Sequence, residues 1–319
     1  MELKARAGGS LSLQWRRFRL ELPGPLISAA GRLREKRGWL LRLEDSRGAL
    51  GWGEAAPLDG ELAPMTAAIQ GLGSSQARPR LEQALAAGTL PGCLAFALGS
   101  ALAELDGLPP RRWLPAPPSA RLLPAGAAAL GALAGSAPAW KWKVAVHADA
   151  EERAVLEQLL QLLPADARLR LDANGGWDRA TAWSWAERLA AEPRLQWLEQ
   201  PLPPRDHAGL AALAAQVPVA LDESLQIQPA SADAWPGWQV RRPSQQGDPR
   251  PLLEALEAGR PWLMLSTAFE TGIGRRWLEH LAALQAEGPT PAPPGLAPGW
   301  QPAGLLASSD PLQVWEAAG

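Results

Sequence analysis

The chain has 319 residues, a net charge of −2, and 47% hydrophobic and 20% charged residues, which excludes disorder and a basic face for nucleic acid or anionic membrane. One cysteine, Cys93, rules out an intramolecular disulfide and a Cys-rich zinc centre, and three histidines (His147, His207, His280) leave little for a His-based metal site. With 16 Trp, 3 Phe and no Tyr, acid/base chemistry must fall to Lys, Asp or Glu.

The charged stretch 1–17 does not read as a secretory signal. The uncharged stretches 89–103 and 122–140 are broken by Pro91, Gly92, Pro124 and Pro138, so neither is a continuous apolar span of about 20 residues. The expectation is a soluble, cytoplasmic protein with no membrane partner.

In chain order, a strand is predicted over 13–22. Trp39, Leu41 and Leu43 alternate with Leu40, Arg42 and Glu44 as in a second strand, the turn Asp45-Ser46-Arg47-Gly48 follows, and 50–54 returns. Helical spacing then covers 65–72, 80–87 and 94–105, which makes the first third an antiparallel α+β module. From about Arg112 short strands alternate with helices. The strands are 139–146, 169–173, 195–199, 217–222, 238–242 and 263–268; the helices are 149–163, 178–191, 208–215, 251–257 and 274–286. Repeated βα units imply a parallel sheet, doubly wound or closed into a barrel. The Pro/Gly-rich tail, 288–319, reads as irregular chain that wraps the rest.

Charges on these strands carry the functional signal. Side chains alternate faces along Ala139-Trp140-Lys141-Trp142-Lys143-Val144, so Lys141 and Lys143 point one way while Trp140 and Trp142 point toward covering helices. Two ammonium groups so close repel, which lowers the pKa of at least one and fits it to act as a base. Taken alone, a Lys-x-Lys pair also fits an edge strand with a solvated face. The next strands end in Asp172, Glu199 and Asp222, at spacings of 27 and 23 residues, one βα unit each. Three acids thus reach the end of a parallel sheet where active sites form. Three oxygen ligands without His or Cys suit a hard divalent cation such as Mg²⁺.

Lys141-Trp142-Lys143, Leu171-Asp172-Ala173-Asn174, Leu198-Glu199-Gln200-Pro201 and Leu221-Asp222-Glu223-Ser224 together resemble the muconate-lactonizing subgroup of the enolase superfamily. Gly51-Trp52-Gly53-Glu54-Ala55-Ala56-Pro57 resembles that subgroup's capping turn, and 265–274 its late-barrel motif. Within the subgroup the pattern is most similar to the o-succinylbenzoate synthases. The resemblance implies an α/β fold: an enolase-like (β/α)₇β barrel over 112–287, an N-terminal α+β capping domain over 1–111, and a segment 288–319 returning to the cap. It also implies Mg²⁺ on Asp172, Glu199 and Asp222, with Lys143 as base and Lys141 as the neighbouring cation. The implied partner is a small carboxylate substrate, 2-succinyl-6-hydroxy-2,4-cyclohexadiene-1-carboxylate, dehydrated through a metal-stabilised enediolate to 2-succinylbenzoate.

One residue departs from the subgroup. Its second lysine, on the sixth strand before a proline, is matched by Arg242 in Val240-Arg241-Arg242-Pro243, and the register leaves either Arg241 or Arg242 facing inward. Arginine cannot serve as a base. A Lys143/Arg242 pair therefore implies one-base syn elimination, ahead of an N-succinylamino-acid racemase or dipeptide epimerase, which needs two bases. A non-catalytic barrel that keeps the cap for partner binding is the alternative of another class. Ser266, Thr267 and Gly272 are expected to hold the succinyl carboxylate at a helix start. Asn174 is a candidate for orienting a ligand, and Glu223 for pairing with a lysine or bridging to a neighbouring strand. Lys36 and Arg37 fall where the cap's specificity loop is expected, and Trp197 shares the inward face of Glu199.

Overall fold

The computed structural model describes residues 9–29, 31–58, 62–108, 113–133, 135–229 and 234–319. The expected module boundary at 111/112 lies outside them. The first third is antiparallel. Strands β1 (Ser10–Ser28) and β2 (Gly31–Glu44) form a long hairpin, β3 (Leu50–Ala55) returns along β2, and β4 (Ser75–Ala77) pairs with the start of β1. The order is β3-β2-β1-β4. The hairpin runs past the predicted 13–22 because the pairing shifts register at a bulge after Glu21 and resumes with Leu26 opposite Leu33.

Helices α1 (Ala63–Leu72), α2 (Arg78–Ala86) and α3 (Gly92–Leu105) cover one face of this sheet. Helix α3 lies directly on β3, and two glycines make that possible. A Cβ on Gly51 would sit 2.0 Å from the Ala101 carbonyl oxygen, and one on Gly53 would sit 2.1 Å from that of Ala97. Both obstacles are helix backbone, which cannot step aside.

The parallel part follows: β5 (Arg121–Leu123), α4 (Ala128–Gly131), β6 (Trp140–Lys143), α5 (Asp149–Leu162), β7 (Leu169–Asp172), α6 (Arg179–Leu189), β8 (Leu195–Glu199), α7 (His207–Ala214), β9 (Val219–Leu221), α8 (Glu223–Ile227), β10 (Trp238–Arg241), α9 (Pro243–Gln246), α10 (Arg250–Glu257), β11 (Leu263–Leu265) and α11 (Gly272–Ala286). The sheet order is β11-β10-β9-β8-β7-β6-β5, all parallel. Sequence patterning misses β5, a three-residue strand too short to show periodicity, which pairs with β6. The predicted 139–146 strand stops at Lys143, because Ala145 takes a left-handed conformation at φ 61°.

Trp140 and Trp142 pack outward with Val155, Leu156 and Leu159 of α5, and Trp177 stacks on Trp185 at 4.9 Å. Helices α6 and α7 start on side-chain caps, with Asp178 accepting from Thr181 N and Asp206 from Gly209 N.

The tail is more ordered than an irregular wrap. Residues 293–296 fill the seam between the two edge strands: Gly295 N donates to Leu265 O (2.8 Å), Thr267 N to Gly295 O (3.0 Å) and Ala120 N to Pro294 O (2.9 Å). The chain then forms α12 (Pro311–Ala317), begun by Asp310, whose Val314 and Trp315 pack with Phe18, Leu40 and Trp52 of the antiparallel sheet. The whole is the α/β barrel with an α+β cap that the sequence implies. No helix among the described residues is long and apolar enough to cross a membrane.

Replacing Gly53 with Ala should lift α3 off β3. The expected loss is about 3 kcal/mol of unfolding free energy, the upper end for overpacking, measured by urea titration. A variant as stable as the parent would show that the helix can shift.

Candidate active site

Strand register brings the predicted residues together. Lys143 lies beside Asp172, and Asp172 beside Glu199, across β6, β7 and β8; Asp222 follows β9 directly. Alternation turns Lys141, Lys143, Arg170, Asp172, Trp197 and Glu199 to the barrel interior. Asp172, Glu199 and Asp222 have no exposed surface.

The cations answer them. Lys141 Nζ bridges Asp172 Oδ2 (2.7 Å) and Glu199 Oε1 (2.5 Å). Lys143 Nζ donates to Asp172 Oδ2 (2.6 Å) and Asn174 Oδ1 (2.8 Å). Arg242 forks onto Asp222, with Nε 2.9 Å from Oδ1 and Nη2 on Oδ2, while Nη1 donates to Thr267 O at 2.7 Å. The register question resolves here: Arg242 is buried and faces inward, whereas Arg241 turns to Gln246 Oε1.

The pKa values follow from this pairing. Burial works to lower Lys141, but Asp172 and Glu199 outweigh it and raise the ammonium above its usual range. The sequence expectation of mutual lysine repulsion is therefore corrected for Lys141, whose nearest charges are carboxylates. Burial works to raise Asp172, yet Lys141 and Lys143 hold it well below the carboxylate range. Asp222 is likewise lowered by Arg242 against burial. Glu199 goes up, through burial and then Asp172. Glu223 is pushed up to about 8 by burial and by Asp222 and Asp172; its Oε1 accepts from Asn174 Nδ2 (2.8 Å) and its Oε2 has no partner among the described residues. Asn174 thus links Lys143 to Glu223, and Glu223 reaches no lysine directly among the described residues.

Above these groups lies a cavity of ≈ 470 Å³. Lys141 and Lys143 form one wall and Arg242 the other, with Asn174, Glu223, Gln245, Ser266 and Thr267 between them. Leu26, Ser28, Arg32 and Leu33 of the β1–β2 hairpin roof it. Those are the cap residues at the site. Lys36 and Arg37, which fall where the resemblance places the cap's specificity loop, sit further along β2, and Lys36 is buried.

Gly272 also needs correction as a substrate ligand. The start of α11 is already capped by a carboxylate of the chain: Glu54 Oε2 accepts from Thr271 N (2.8 Å), Thr271 Oγ1 (2.6 Å) and Gly274 N (3.2 Å). A Cβ on Gly272 would meet Ser308 O at 1.7 Å, so the tail covers it. Ser266 and Thr267 do line the cavity, but the Thr267 hydroxyl is spent on Glu270 Oε2 (2.6 Å). The three histidines stay outside the charge cluster; His280 Nδ1 accepts from Leu114 N.

Comparison with known proteins places this geometry. Residues 125–233 match the enolase C-terminal domain-like family. A curated o-succinylbenzoate synthase from Thermosynechococcus vestitus is 38% identical over 288 residues, 84% of this chain and 87% of the relative. One from Edwardsiella ictaluri is 30% identical over 292 residues, 88% of each chain. The chain belongs to the o-succinylbenzoate synthase family. It is an enzyme, a carbon–oxygen lyase of the hydro-lyase kind. The crystal structure of a family member from Thermosynechococcus elongatus BP-1, complexed with Mg in its active site, superposes with a TM-score of 0.79 at 34% identity, covering 96% of this chain and 99% of that one.

Sequence reasoning misses two residues that hold the site's backbone. Buried Glu152 accepts from Ala145 N (2.8 Å), Val146 N (2.9 Å) and His147 N (3.0 Å), which fixes the turn just after Lys143. Gln200 Oε1 accepts from Asp222 N (3.1 Å) and Ser224 N (3.0 Å), tying the end of β8 to that of β9. An acid in the first turn of α5 is visible in the sequence, but it reads equally as helix-dipole compensation.

Glu152→Ala should cost about 2 kcal/mol, because three backbone N–H groups, two of them on half-buried residues, lose a buried carboxylate acceptor at once. Chemical denaturation gives the number; a loss below about 1 kcal/mol would mean that water replaces the carboxylate.

Proposed function

We propose that this enzyme dehydrates 2-succinyl-6-hydroxy-2,4-cyclohexadiene-1-carboxylate to 2-succinylbenzoate, as a cytoplasmic step of menaquinone or phylloquinone biosynthesis. The reading also proposes 1–111 as the cap, 112–287 as the barrel and 288–319 as the segment returning to the cap, with 293–296 shared with the barrel. The observation that carries it is the asymmetry of the cavity, with two lysines on one wall and an arginine on the other.

Asp172, Glu199 and Asp222 are the residues that would hold Mg²⁺. Their donors are all oxygen, fully buried, and offer no nitrogen or sulfur, which fits a hard dication. Among the described residues no three acids, Cys or His already gather closely enough to hold an ion, since Lys141 and Arg242 stand against the carboxylates. When bound, the ion supplies positive charge against the substrate carboxylate as that group gains charge.

The rest is work for the chain's own side chains. Lys143 takes the proton from the carbon alpha to the carboxylate. Lys141 keeps a fixed positive charge beside the electron pair that this step leaves. The C–O bond on the adjacent carbon then breaks, and Lys143 returns the same proton to the departing hydroxyl, releasing water and leaving an aromatic ring. Both transfers use one face. Arg242 sits opposite, where burial opposes its charge but Asp222 raises its pKa further, so it accepts no proton. It supplies a cation near the forming ring, a favourable placement.

The test is incubation of the purified chain with the cyclohexadiene and Mg²⁺, following absorbance and identifying the product. Conversion to 2-succinylbenzoate is expected. Exchange of an amino-acid alpha proton without dehydration would sink the reading, and no Mg²⁺ affinity would favour a binding module. Lys143→Ala should lower kcat about 1,000-fold or more while calorimetry still detects Mg²⁺ binding; Asp172→Ala should lose both. Arg242→Lys should stay within about tenfold of the parent, because charge and not basicity is required of that wall.

A further inference from the structure

Lys36 is a buried cation that the proposed chemistry does not use. It lies on β2 of the cap, is 2% exposed, and its Nζ is 3.5 Å from Glu54 Oε1 on β3. Neither atom has a hydrogen-bond partner among the described residues. A second buried carboxylate, Glu270, acts on Glu54 as a like charge, and Lys36 acts on both as the opposite one. One ammonium from the cap is thus the opposite charge that both carboxylates share, although burial still leaves Glu54 raised above the usual carboxylate range.

Those carboxylates hold the two ends of one barrel segment. Glu54 Oε2 caps Thr271 and Gly274 at the start of α11. Glu270 accepts from Ser244 Oγ (2.5 Å), Ala268 N (2.8 Å) and Thr267 Oγ1 (2.6 Å). The Thr267 carbonyl in turn receives Arg242 Nη1. Remove the ammonium, and two buried carboxylates that repel each other lose the opposite charge they share.

We propose that Lys36 is a positioning residue: from the cap it neutralises Glu54 and Glu270, and so fixes the 266–274 segment that lines the cavity and anchors Arg242. The catalytic consequence rests on the proposed dehydration; the structural consequence does not. Lys36 acts through the segment and touches neither the cavity nor the charge cluster below it.

Two variants and two readouts test this. Lys36→Met keeps the length of the side chain and drops its charge. Lys36→Met/Glu54→Gln also removes one of the carboxylates. In Lys36→Met, amide hydrogen exchange across 266–274 should speed up by roughly tenfold or more, with 140–143 and 169–172 unchanged. KM for the cyclohexadiene should rise about tenfold, with kcat within about threefold. The double variant should return both to within about threefold of the parent. Exchange in Lys36→Met equal to the parent's would overturn the proposal. So would a double variant as loose as the single one, since packing and not charge would then be at stake. If Lys36→Met does not fold, the double variant must; failure of both also overturns it. A parent that turns over no cyclohexadiene counts against the dehydration alone, because the exchange comparison still decides the role of Lys36.

Discussion

Three carboxylates without solvent exposure sit at the centre of this protein, and three cations stand against them. Asp172 is met by Lys141 and Lys143, Glu199 by Lys141, and Asp222 by Arg242. Taking one partner from a buried pair costs roughly 3–5 kcal/mol, a large part of the stability of an ordinary domain. The pairs must therefore be held at contact distance, and much of the surrounding backbone does that. Glu152 fixes the turn after Lys143, Gln200 binds the amide of Asp222, and Asn174 N donates to Asp172 Oδ1. Each uses a backbone amide as the handle, so a charge is set by where the chain turns as well as by its own rotamer.

The parallel sheet makes this economical. Neighbouring strands in register present side chains at one level, and a βα unit brings the next acid alongside the last. Having delivered its charge, the chain leaves at once. Ala145, Asn174 and Gln200 follow Lys143, Asp172 and Glu199 by one or two residues, and all three take positive φ without being glycine. Such conformations persist only where the surroundings over-determine them. Here the hydrogen bonds just described supply that constraint. The cap closes the arrangement from above, since the β1–β2 hairpin is long enough to put Leu26 and Leu33 over the cavity.

What the sequence reveals of this follows from periodicity. A Lys-x-Lys on an apolar strand, and acids one βα unit apart, carry their geometry in their spacing, so the lysine wall and the floor of the cavity are legible in the residue pattern; the arginine wall is reached only through the family resemblance, which leaves Arg241 and Arg242 open. The cap hairpin is not, because its reach depends on a bulge between Glu21 and Leu26 that has no single-residue signature. Strand β5 and the 293–296 seam escape for a different reason: β5 is three residues paired with β6, the seam is held by backbone bonds to both edges of the sheet, and neither has much pattern of its own. Gly272 misleads because a helix start does attract an anion, but the anion that satisfies it is Glu54, more than two hundred residues earlier in the chain. Lys36 reads as a loop residue for want of any local sign that it pairs with Glu54.

The absence of Tyr and the abundance of Trp gain meaning from the same geometry. Trp142 and Trp185 are wholly buried between strands and helices; Trp185 Nε1 donates to Asp149 Oδ1 (2.6 Å), while Trp142 Nε1 has no partner among the described residues, so bulk is what that position uses. Trp197 turns inward instead, donating to Glu199 Oε2 (3.3 Å) with the Arg170 guanidinium 4.1 Å above its ring. Arg170 is deeply buried, and its pKa is pulled down to about 9 by that burial against the pull of Glu199. The inward face of the barrel thus holds lysine, arginine, carboxylate and indole, with no phenol to share protons. Arg242 is committed to Asp222 and to the Thr267 carbonyl through all three of its nitrogens. Of the cations lining the cavity walls, only a lysine can release its proton and take it back, and both lysines are on one strand. A reaction needing acceptors on opposite faces of a carbon has no second acceptor on the Arg242 wall, whereas an elimination that removes and returns its proton on one face needs none.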